Sequence, residues 1–151
     1  MTRQIGPQRN AIVSKLLVAP LASDGYYTSF TDAVASAVSG DTIYVKPGTY
    51  NVGSWTGKDV VNVTAAYCDA HNHVILNGQM TLGSGAMNFS GIQFTNSGAS
   101  PFNLNGAGVV AVRCDGCVYI VANDIIVSMT NSNASSTFIS NDFVMFITGT
   151  G

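Results

Sequence analysis

From Thr42 onward the chain is a series of short apolar runs, nearly every one closed by Gly, Asn, Ser or Asp. Three of these steps align. Ser90-Gly91-Ile92-Gln93-Phe94, Asp115-Gly116-Cys117-Val118-Tyr119 and Asn141-Asp142-Phe143-Val144-Met145 begin 25 and then 26 residues apart. Asn123-Asp124-Ile125-Ile126-Val127 echoes the same polar-to-apolar step. A repeat of this length, made of strands and tight turns, cannot close a core alone and must stack on its neighbours. The runs favour Val, Ile, Thr, Tyr and Phe, as strands do. A β-solenoid is the expectation. A β-sandwich with drifting turn spacing is the alternative.

Ahead of the strands the period changes. Phe30, Ala33, Val34, Ala37 and Val38 fall on one helical stripe. Thr28 or Ser29 suits its start and Gly40 its end, which predicts a helix over 28–38. The strand Thr42-Ile43-Tyr44-Val45-Lys46 follows and stops at Pro47-Gly48. Ala11 to Val18 reads as an earlier strand, broken at Pro20, and Asp24-Gly25-Tyr26-Tyr27 as a turn. The chain thus divides into an arm and first strand (1–20), a turn and helix (21–41) and a stack of strands (42–151). At about 25 residues per turn the stack holds four to five coils.

The stretch from Asp24 to Tyr50, DGYYTSFTDAVASAVSGDTIYVKPGTY, resembles the N-terminal signature of pectin-lyase-like right-handed parallel β-helices. The resemblance implies an all-β fold whose first coil is capped by an amphipathic helix, with winding starting at the Pro47-Gly48-Thr49-Tyr50 turn. Phe30, Val34 and Val38 would cover that end of the stack. No equivalent cap is visible after Ile147, so further polypeptide or a partner is expected there. The same superfamily holds lyases, hydrolases, epimerases and phage tailspikes, so the resemblance speaks to fold before function.

Charge narrows the function classes. Only 9% of residues are charged, against about 25% in an average domain. Arg113 is the one basic residue beyond Lys58, which excludes an extended basic face for nucleic acid. The acids are all Asp. No apolar run is long enough for a membrane span, and residues 1–10 are too polar for a secretory signal. A mean hydropathy of +0.27 with so little charge suits a surface that is covered in an assembly.

The candidate chemistry is sparse. Asp115, Asp124 and Asp142, with Arg113 as the only nearby base, are the catalytic candidates for a polysaccharide lyase or hydrolase. Asn-Asp placement before strands is equally what turns use, and the His and basic motifs of the hydrolases are missing. Asp69, His71 and His73 are a metal candidate without an evident further ligand, and no cofactor is expected. Cys114 and Cys117 have CxxC spacing but flank an Asp-Gly turn, which favours buried core thiols over a redox or zinc pair. Trp55, in Gly53-Ser54-Trp55-Thr56-Gly57, is the aromatic expected to be exposed for ligand or subunit contact.

These features point to a structural virion protein of a tailed phage, made in the host cytoplasm: a short β-helical tail fibre, spike or capsid-decoration subunit. It would be a homotrimer, docked on other virion proteins through residues 1–10 with Arg3, Gln4, Gln8 and Arg9, and host surface polysaccharide would be a further partner. A polysaccharide-degrading enzyme, or its N-terminal piece, is the alternative. An adhesin is the third reading and would need a secretion signal.

Overall fold

The computed structural model describes residues 15–21, 27–66, 73–96, 99–105, 107–121, 126–129, 136–141 and 144–147. The strand β1 (Lys15–Val18) and the helix α1 (Phe30–Ser36) come first. Successive coils then carry β2 (Thr42–Val45) and β3 (Gly48–Thr56), β4 (Val61–Ala65) and β5 (Val74–Thr81), and β6 (Gly85–Ser90) with β7 (Ile92–Asn96) and β8 (Phe102–Asn103). The last coils hold β9 (Val110–Asp115), β10 (Val118–Val121) and β11 (Val127–Ser128), then β12 (Thr137–Asn141) and β13 (Val144–Ile147).

Among the described residues all the strand pairings are parallel, which replaces the sandwich alternative with a β-solenoid of about four turns. One sheet runs β1-β2-β4-β6-β9-β12. On the other, β5 pairs along its whole length with β3; on its far side its first half pairs with β7 and its end with β8, which in turn pairs with β11. The sequence repeat is the structural register: Ser90 pairs with Asp115, and Asp115 with Asn141.

Because each side chain stacks on its register partner one coil away, the core is a set of columns. Ile43, Val63, Phe89 and Cys114 form one, and Tyr50, Leu76, Phe94 and Tyr119 another. Phe94 and Tyr119 stack in adjacent coils at 5.8 Å and 13°. Phe94 and Phe102 meet edge-on at 4.7 Å, where the two parts of the second sheet converge. Such ring contacts add to the area they bury.

The helix is shorter than predicted. Ser29 caps it, its Oγ accepting from the Asp32 N–H at 3.3 Å. The chain leaves helical geometry at Ala37, whose ψ is 150°. Phe30, Ala33, Val34 and Ala37 are buried as expected, but Val38 is 46% exposed. The stripe fails there because the helix has already ended, and Val38 lies in a turn closed by its own N–H on Asp41 Oδ2 at 2.8 Å. Gly40, at φ +91°, belongs to that turn and not to the helix end. The helix packs Phe30 edge-on against Trp55 of β3, ring centres 5.1 Å apart.

The strand β3 was not anticipated. Pro47-Gly48-Thr49-Tyr50 reads as a turn, yet Gly48 to Thr56 is a nine-residue strand. Its glycines, Asn51 and Ser54 mask its strand character in the sequence.

Candidate functional site

The register of β3 against β5 slips by one residue at Val52: Asn51 faces Asn77, but Gly53 faces Gly78. This bulge turns the rest of β3 over. Trp55, expected to be exposed, is therefore buried at 7% exposure, between Phe30 and Phe89. Simple alternation over the five positions from Tyr50 to Trp55 would turn the indole outward, and the bulge at Val52 turns it back into the core.

The bulge also hollows the outer surface. Three adjoining depressions meet on β3 between Asn51 and Ser54. The first, of about 570 Å³, lies between α1 and β3 over Val34, Val52 and Trp55. Lys58 lines it and donates from Nζ to the Ala35 carbonyl at 2.8 Å, capping the C-terminal end of α1. The second, of about 300 Å³, is bounded by Pro20, Thr28 and Thr49.

The third, of about 430 Å³, has no charged or aromatic side chain among the described residues that line it. Asn77 Nδ2 donates to Asn51 Oδ1 at 3.0 Å, a ladder between coils. Gln79 Nε2 donates to the Ser100 carbonyl at 2.7 Å, and Asn96 Oδ1 accepts from the Ala99 N–H at 3.2 Å. Gly53 and Gly78 form its floor. Gly78 is required: a Cβ there would collide with the Gly53 backbone of the coil above.

A second polar cluster sits at the corner between β9 and β10. Arg113 Nε donates to Asp115 Oδ2 at 2.9 Å, and Asn141 Nδ2 donates to Asp115 Oδ1 at 2.8 Å. The Arg113 hydrogen bond, then that of Asn141, holds the Asp115 carboxyl below the usual carboxylate range. The same contact raises the Arg113 guanidinium, so neither group is poised to exchange a proton near neutral pH. The structure thus brings Arg113 and Asp115 together. Asp124 and Asp142 lie outside the described residues.

Of the metal candidates, His73 is exposed just before β5, and Asp69 and His71 lie outside the described residues. So do Arg3, Gln4, Gln8 and Arg9. Cys114 and Cys117 are free, buried thiols, as their strand–turn–strand context suggests. The Cys114 thiol is pushed up by its hydrogen bond with Cys117 and by burial, which keeps it protonated. Beside it Tyr119 is also pushed up, chiefly by burial, and its hydroxyl meets Ser140 Oγ at 3.0 Å.

The depressions around β3 are not legible in the sequence, because simple alternation does not show the bulge at Val52. The available signal was Asn51 and Asn77, 26 residues apart and each next to an apolar strand position. Compared with known protein families, curated proteins and solved structures, the chain matches none.

Proposed function

We propose that this chain is a structural virion protein of a tailed phage, a short right-handed β-helical spike, fibre or decoration subunit of pectin-lyase-like type. The helix α1 serves as the cap of its first coil. Three copies associate, and residues 1–10 dock the trimer on other virion proteins. It is made in the host cytoplasm and works on the particle, as a scaffold and not as an enzyme.

The observation that supports this reading is the laddering of polar side chains between coils on the outer faces. Asn88 Nδ2 donates to Asn62 Oδ1 at 2.8 Å and Asn77 to Asn51 at 3.0 Å, so amides pair with amides between coils. The carboxylate of Asp115 spends both oxygens on Arg113 and Asn141. Such a surface is rigid and weakly charged, suited to a stacked assembly. Closed symmetry covers it better than a lone monomer does.

Light scattering on the purified protein is expected to give about three times 15.7 kDa. A chain lacking residues 1–10 is expected to stay trimeric and to be missing from purified particles. A soluble monomer, or normal incorporation without the arm, overturns the proposal. The enzyme reading gains if the protein degrades acidic or neutral polysaccharides and Asp124→Asn or Asp142→Asn abolishes that turnover.

A further inference from the structure

We infer that the amide-lined cleft on β3 and β5 is a binding site for neutral, uncharged glycan, selective against the acidic uronate sugars. This deepens the reading of a subunit that meets surface polysaccharide, and it can fail separately from the assembly. Three observations carry it. The first is orientation. The Asn77–Asn51 bond at 3.0 Å and the Gln79–Ser100 bond at 2.7 Å each use one side of an amide. What remains is the Nδ2 donor of Asn51 and the carbonyl oxygens of Asn77 and Gln79, beside the Ser54 hydroxyl. Donors and acceptors are both on offer, as the hydroxyls of a sugar require, and the two hydrogen bonds hold them in place before a ligand arrives.

The second is the floor. Gly78 lies so close beneath the Gly53 backbone that it admits no side chain. A Cβ on Gly53 would meet nothing within 4 Å. The cleft is thus open over bare backbone, and a flat ring can approach it. The third is charge. Among the described residues the lining has no Lys, Arg, Asp or His. A uronate carboxylate would give up water there without gaining a cation, which disfavours it. With no aromatic platform among the described lining residues, affinity per site is on the order of millimolar, and several copies on one particle multiply it.

Side-chain amide NMR tests the inference on the full chain. Methyl glycosides of glucose, galactose and mannose, and galacturonate as the acidic probe, are titrated into the millimolar range. The amide signals of Asn51, Asn77 and Gln79 are expected to shift with at least one neutral glycoside, and galacturonate is expected to bind about tenfold more weakly. Gly53→Asn keeps the fold, because Asn tolerates its φ of +58°, and fills the cleft. It is expected to weaken binding at least about tenfold with the melting temperature held. Silence of all three amides with every neutral glycoside, equal or tighter galacturonate binding, or unchanged binding by Gly53→Asn overturns the inference. A monomer that still binds leaves it standing and refutes the trimer. A trimer whose amides stay silent does the reverse.

Discussion

Tyr50 and Trp55 lie five residues apart on one strand and both point into the core, at 6% and 7% exposure. Their partners on β5, Leu76 and Met80, are four apart. Side chains alternate on a strand, so an odd separation ordinarily places two residues on opposite faces. Val52 is the extra residue that reconciles the two. One bulge therefore buries the indole and opens the polar surface beside it.

Trp55 is the only tryptophan, so its fluorescence reports this bulge directly. The folded protein is expected to emit in the blue range of a buried indole. Deleting Val52 removes the bulge and leaves Tyr50 and the indole four positions apart, like Leu76 and Met80, so the ring is expected to stay buried and its emission blue. A folded deletion variant whose emission moves to the red contradicts Val52 as the extra residue of the bulge.

Phe30 is 2% exposed and anchors α1 on Trp55. Phe30→Ala is expected to cost about 3–5 kcal/mol in urea unfolding. Phe30→Asp should cost more, because it sets an unpaired charge against the first coil. A change under about 1 kcal/mol would remove α1 from the account of stability.

Val60 carries a φ of +54°, a conformation that β-branched residues avoid, and its side chain is 45% exposed. Its backbone is held on both sides: its N–H donates to the Ala86 carbonyl at 2.7 Å, and its carbonyl accepts from the Gly40 N–H at 2.7 Å. Val60→Asn relieves that strain and loses little packing. It is expected to stabilise the protein by about 1 kcal/mol, read as a higher denaturant midpoint.

Tyr50 donates its hydroxyl to the Lys46 carbonyl at 2.8 Å, and burial pushes its pKa from 10.0 up to about 12. The folded state thus favours the neutral phenol. That contribution is whole below pH 10 and is lost as pH rises towards 12. Tyr50→Phe is expected to cost about 1 kcal/mol at neutral pH, the worth of one hydrogen bond. It should also flatten the fall of stability on the alkaline side. An alkaline limb identical to the parent's would refute the assignment to Tyr50.

The repeat was legible because it is a local signal. Ser90, Asp115 and Asn141 each open the same polar-to-apolar step, and stacked coils must bring equal steps into register. The start of α1 was equally legible, since a cap and a stripe are properties of a few adjacent residues. These determined a parallel stack and its period. The rest depended on contacts between coils. Val38 continued the helical stripe in sequence, but the turn onto Asp41 ended the helix before it. Trp55 sat among turn-forming residues, yet the close approach of Gly53 to Gly78 sets the bulge that buries it. The amide cleft exists only because Asn51 and Asn77 lie on successive coils, within hydrogen-bond reach of each other. Alternation along a strand is written residue by residue. Where it is broken is decided by the backbone of the neighbouring coil, which only the tertiary structure supplies.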